Sequence, residues 1–172
     1  MKSKPSLNNL NEVLTYILEG MYDAEKQIQE VIPEWSQHTN TTSIKNQVKR
    51  YAENTRDKRT KLKRVFSYLL TGPFKRKNGV VKKMLKEWSV VSGMTESKPL
   101  ADVLFISFLM GLIEFKKTKY FSARNIALQL NLQTVADLLD EIVVWEKETA
   151  NALTKIALAE TNQKASAVGI LK

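Results

Sequence analysis

Breaks in this chain are scarce. Only 6 Gly and 4 Pro are spread over 172 residues, and between them apolar side chains recur every three or four positions. Leu14, Ile17, Leu18, Met21, Ile28 and Ile32 form one such stripe. Ile44, Val48, Tyr51, Thr55, Lys58, Leu62, Val65 and Leu69 form a second, and Leu139, Ile142, Val143, Glu146, Thr149, Leu153 and Ile156 a third. This spacing follows the 3.6-residue turn of an α-helix and not the two-residue alternation of a strand. With so few turn residues, the chain is held to an all-α class.

The punctuation predicts five helices, over about residues 7–33, 44–70, 79–91, 97–130 and 134–159. An Asn-rich start caps the first, and the polar run from Gln37 to Ser43 separates it from the second. Gly72-Pro73 closes the second helix, because proline donates no backbone N–H. Ser97-Lys-Pro99 opens the fourth, and Asn131 ends it in a left-handed conformation. Asp137 is placed in the first turn of the fifth, where the helix dipole favours a carboxylate. Thr161 to Lys172 are weakly patterned and read as a loose tail. Two long helices, a short crossover helix and two more long helices match a ferritin-like antiparallel four-helix bundle. The whole chain, 1–172, is expected to be one domain with its core over about 7–159.

Composition removes several function classes. The absence of Cys excludes disulfides, thiolate metal sites and cysteine nucleophiles. No glycine-rich phosphate loop, dinucleotide fingerprint or Gly-x-Ser-x-Gly motif occurs. Met1-Lys-Ser-Lys-Pro5 is not followed by an apolar leader segment. The most apolar stretch, Leu100 to Ile113, contains Asp102 and suits a core helix better than a membrane span. A cytoplasmic protein with no membrane partner is the expectation.

The net charge of +9 is unevenly placed. Residues 45–86 hold 15 Lys or Arg against 2 acids, a balance of +13, so the rest of the chain is net acidic. Lys45, Lys49, Arg50, Arg56, Arg59, Lys63 and Arg64 crowd the second helix, and Lys75-Arg76-Lys77 follow it. One reading is a surface for DNA or RNA. The favoured reading is a solvated helix face, since no stacking aromatics are interleaved and no helix-turn-helix or zinc signature appears.

Glu25 lies on the first apolar stripe, four residues after Met21, and a carboxylate facing a core needs a partner. Around it, Tyr22-Asp-Ala-Glu25-Lys-Gln27 followed by Val31-Ile-Pro33 resembles the first helix of the YciE/YciF family of ferritin-like proteins. Glu53-Asn-Thr55, Glu114, the break from Ala127 to Asn131 and Trp145-Glu-Lys-Glu-Thr149 continue that resemblance over about residues 10–157. It implies a stress-associated protein with a two-metal carboxylate site inside the bundle, holding iron or manganese. The ligand candidates it implies are Glu25, Glu87, Glu114 and Glu146.

The sequence departs from the pattern at several implied ligand positions. Tyr51 and Phe115 stand where the family has His, Asn54 and Lys117 where it has Glu, and Trp145 where it has an acid. The single His, His38, falls in the predicted loop and cannot reach the bundle interior. The expectation is a degenerate site, in which Lys58 and Lys117 supply positive charge in place of a metal and pair with the remaining carboxylates. Tyr51, Phe115 and Trp145 are read as core fillers. The expected function is a non-enzymatic scaffold or interaction protein without a cofactor. A ferroxidase-type di-iron or di-manganese protein and a polyanion-binding bundle are the alternatives. Bundles of this kind commonly pair, so a homodimer is expected.

Overall fold

A computed structural model describes residues 6–72 and 76–168, with side chains as far as residue 159. The helices are α1 (Leu10–His38), α2 (Thr42–Tyr68), α3 (Gly79–Val91), α4 (Lys98–Gln129) and α5 (Gln133–Val168). Asn9 caps α1 by accepting from the Glu12 N–H, while the Glu12 side chain reaches back to Asn9 and Asn8. Asn78 caps α3 in the same way through the Val81 N–H. Asn131 closes α4 at φ 57°, the left-handed position expected for it.

Side-chain contacts fix the directions of the helices. Tyr22 meets Phe66 and Trp35 meets Tyr51, so α1 and α2 run antiparallel. As α1 advances from Glu25 to Trp35, its α4 partners retreat from Tyr120 to Phe105. Lys58 pairs with Glu146 and Lys61 with Glu141, which sets α5 antiparallel to α2. Lys116 with Glu146 and Arg124 with Asp140 do the same for α4 and α5. The four long helices therefore form a ring in the order α1, α2, α5, α4, with α2 and α4 pointing the same way. Two parallel helices cannot be joined by a tight turn, so the chain must return along the bundle, and α3 lies on that return.

Several boundaries differ from the sequence expectation. α1 does not stop at Pro33 but continues to His38 with the proline inside it. The missing N–H costs one helical bond, and the extra turn offsets it by burying Trp35 against Tyr51, Phe105 and Phe108. The predicted loop shrinks accordingly. Asp102 on α4 ties it down, accepting from the Asn40 N–H at 2.8 Å, the Thr41 N–H at 3.0 Å and the Thr41 hydroxyl at 2.5 Å. α5 runs on to Val168, so most of the predicted tail is helical. Asp137 lies beyond its first turn and accepts from Gln133.

The return segment is also anchored. Asp23 on α1 accepts from the Asn78 N–H at 2.8 Å and pairs with Lys77 at 3.1 Å, while the Asn78 amide donates to the Gly20 carbonyl at 3.0 Å. The Arg76 guanidinium lies over the Tyr16 ring and close above Gly20, where a Cβ would come within 2.0 Å of it and displace this flexible side-chain end. No described helix is long and apolar enough to cross a membrane.

Candidate functional site

Each of the four long helices sends a charged side chain to one point in the middle of the bundle. Glu25 comes from α1, Lys58 from α2, Lys116 from α4 and Glu146 from α5, and all four are fully buried. Each belongs to its helix's inward stripe. Glu25 lies between Met21 and Ile28, Lys58 between Thr55 and Leu62, Lys116 between Ile113 and Tyr120, and Glu146 between Val143 and Thr149.

Lys116 is the hub. Its Nζ lies 2.8 Å from Glu25 Oε1, 2.8 Å from Glu146 Oε1 and 2.9 Å from the Tyr51 hydroxyl, to which it donates. Lys58 donates to the same Glu146 Oε1 at 2.7 Å. Tyr120 donates to Glu25 Oε1 at 2.7 Å. Both ammonium groups lie over the Tyr51 ring, at 4.8 and 5.0 Å from its centre. Thr55 turns back to the Tyr51 carbonyl. The layer holds two ammoniums and two carboxylates and so carries no net charge. That balance makes it tolerable in a dry core.

The electrostatics follow from this placement. Burial works against charge on Lys116, but Glu146 and Glu25 outweigh it and hold the ammonium well above the ordinary lysine value. Lys58 is shifted down, first by burial and then by the neighbouring Lys116 charge, which the attraction of Glu146 does not fully offset. Burial would raise the Glu146 carboxyl, yet Lys116 and Lys58 hold it below its ordinary value. Burial and the adjacent carboxylates push the Tyr51 and Tyr120 hydroxyls up, so both remain neutral. Glu146 Oε2 is buried with no hydrogen-bond partner, which leaves the acceptor capacity of this layer incompletely used.

The predicted site residues divide sharply. Glu25, Glu146 and Lys58 meet in the interior. Lys117 and Glu114 do not: they pair with each other at 2.6 Å on the outside of α4, one turn apart. The residue that carries the interior charge is Lys116, one position earlier. A step of one residue turns a helical side chain by about 100°, enough to move it from core to surface. Glu87 is exposed on α3, remote in chain position and burial from the charged layer. Tyr51 is a fully buried filler, as expected, whereas Phe115 and Trp145 are only half-buried. His38 ends α1 and is exposed, with its ring edge-on to Trp88.

Sequence reasoning also missed Tyr120, whose position four residues after Lys116 places it on the same helix face. Of the basic residues, Lys45, Lys49, Arg50, Arg56, Lys63 and Arg64 are exposed, and Arg59 packs on Tyr22 beside Gln29. Arg76 and Lys77 dock the return segment, and Lys75 lies outside the described residues.

A two-metal centre needs carboxylates from several helices, usually with imidazoles, arranged around a shared space. Here only two carboxylates converge, and both are engaged by ammonium groups. No group of three or more His, Asp or Glu placed to hold a metal occurs among the described residues. The donor set does not fit a two-metal cofactor.

Comparison with known proteins agrees with the fold. The chain is 23% identical over 161 residues to Protein YciF of Escherichia coli strain K12, covering 93% of this chain and 97% of that one. The crystal structure of the E. coli stress protein YciF superposes with a TM-score of 0.87 at 21% identity, over 91% of this chain and 99% of that one. YcfI of Rhodopseudomonas palustris gives a TM-score of 0.85 at 18% identity, over 90% and 98%. The profile of a family described as a domain of unknown function, DUF892, matches residues 9–166. With nearly its whole length matched, the chain belongs to the DUF892 family.

Proposed function

We propose that this chain is a stress-associated protein of ferritin-like fold that works without a two-metal centre, as a scaffold or interaction protein and not as an oxidase. One observation carries the proposal: the Lys116 ammonium sits within 2.8 Å of both interior carboxylates, in the place a bridging cation would take. An ammonium fixed there supplies the neutralising charge that two buried carboxylates require, and it supplies no redox chemistry or Lewis acidity. The neutral tyrosines complete the layer with hydroxyls, Tyr51 accepting from Lys116 and Tyr120 donating to Glu25. The stress association comes from the description of the E. coli protein with the matching fold.

Metal content decides the matter. The protein is to be expressed with added iron and manganese, purified without a histidine tag or chelator, and analysed by mass spectrometry. The proposal expects less than about a tenth of an equivalent of metal per chain, because a filled cation position has no affinity to offer. Two equivalents per chain, with oxidation of added ferrous iron, would establish the ferroxidase reading instead.

A further inference from the structure

The exposed cations of α2 are not scattered around the helix. At about 100° per residue, Lys45, Lys49, Arg56 and Lys63 fall within an arc of about 40°. Eighteen residues separate the first from the last, so at about 1.5 Å per residue the row is about 27 Å long. All four are exposed, and none forms an ion pair with any described residue.

The two flanks of α2 differ. Lys61 reaches Glu141 on α5, and by helical spacing Asp57 falls toward that same flank, whereas Glu53, four residues after Lys49 and three before Arg56, borders the row on the outer face without an ion pair to either. The other flank turns toward α1, as Arg59 shows by packing on Tyr22 and donating to Gln29. The row lies on that second flank. Lys26 extends it from α1, since it is exposed and sits four residues after Tyr22 and three before Gln29. The nearest acids of α1, Glu30 and Glu34, share a face with Gln27, which bonds to the α3 cap, and Glu34 lines the cleft against α3. Glu34 therefore turns away from the row, while Glu30, four residues after Lys26, borders it as Glu53 does, and five cations against these two acids leave the row net positive.

We infer that this row is a binding surface for the phosphate backbone of duplex nucleic acid, read without base specificity. A straight line of cations matches a rod-shaped polyanion whose charges repeat along its length. Between Lys45 and Lys63 the only aromatic is Tyr51 and the only Leu is Leu62, both fully buried. Unpaired bases therefore find no stacking platform, and a bilayer finds no apolar side chain to take up. The inference is independent of the interior charged layer and holds whether or not that layer binds metal.

The test is fluorescence anisotropy with a labelled DNA duplex of mixed sequence, titrated from about 50 to about 200 mM salt, over which the Debye length falls by about half. Binding should weaken with a slope of about −4 in log K against log salt, as four or five phosphate contacts require. The variant K45E/K49E/R56E/K63E should lose at least about tenfold in affinity, and the neutral set K45Q/K49Q/R56Q/K63Q should flatten the slope toward zero. The control K82E/K83E/K147E/K155E changes net charge equally from exposed positions on α3 and α5, and should stay within about threefold of the parent. Circular dichroism checks that each variant remains helical, and the Gln set keeps the test open if charge reversal unfolds the bundle. Three results would overturn the inference: no duplex binding at low salt, equal losses in the row and control variants, or tighter binding to phosphatidylserine vesicles than to DNA.

Discussion

Two layers of the bundle core are built on opposite principles, and Tyr51 belongs to both. At one end, Trp35, Trp88, Phe105 and Phe108 interlock with ring centres 5.0–6.4 Å apart, and Trp35 stacks on Tyr51 at 6.2 Å. About three turns back along α1, at Glu25, the Tyr51 hydroxyl accepts from Lys116 and the aromatic layer gives way to the charged one. The aromatic layer is held by area and shape, so it loses stability in proportion to what is removed. The charged layer is held by balance. It adds little as a whole relative to an apolar filling, yet removing one member strands another in a dry interior. The same core thus tolerates damage gradually at one end and abruptly in the middle.

The largest effect should come from upsetting that balance. Glu146→Ala leaves two buried ammoniums facing Glu25 alone and should cost about 3–5 kcal/mol, read as a fall in the urea midpoint. The compensated double variant Lys58→Met/Glu146→Gln removes one charge of each sign. It should be clearly more stable than Glu146→Ala; equal loss in both would remove the distinction between the layers.

Trp88→Ala, at the aromatic end, should cost about 3 kcal/mol, since the ring is 5% exposed and packs on Phe105 and Phe108. Its loss should not depend on pH. Acid separates the layers further. Glu146 is held below its ordinary value of 4.5 in the folded protein, so the unfolded chain binds its proton first as pH falls. Its contribution is complete above about pH 4.5 and is lost as pH drops through the folded value. Denaturant melts at pH 6 and pH 3 should show this loss undiminished in Trp88→Ala and reduced in Glu146→Gln. The smallest effect belongs to Lys117→Ala. Its ammonium is half-buried beside the exposed Glu114, and the change should stay within about 0.5 kcal/mol by thermal melting. A large loss there would mean that the surface pair is wrongly contrasted with Lys116.

Much of this was legible from residue spacing. The stripe from Ile44 to Leu69 has one inward side, because most other positions of the helix are charged or polar, and it placed Tyr51, Thr55 and Lys58 correctly in the interior. Glu25 and Glu146 were found in the same way. The breaker at Asn131 marked a helix end because left-handed backbone imposes a local limit that needs no tertiary partner, whereas α2 ends at Tyr68, ahead of Gly72, with Leu70 at φ 53°, and Pro73 lies outside the described residues. Pro33 was misleading for the converse reason: its local cost is real, and only the packing of Trp35 overrides it.

What the sequence by itself determined is the all-α class, the order of the helices and the inward faces of α1, α2 and α5. These rest on local backbone limits and on patterns with a single apolar side. The register of α4 was decided by the tertiary structure. That helix carries apolar residues nearly all round, with Leu100, Val103 and Phe121 exposed away from the face of Leu109, Ile113 and Tyr120. Its pattern therefore has no preferred face, and Glu114 with Lys117 reads as plausibly inward as Ile113 with Lys116. Only the arrival of Glu25 and Glu146 from the neighbouring helices distinguishes them. A buried carboxylate needs a cation within reach, and the bundle places Lys116, not Lys117, where both carboxylates can be met.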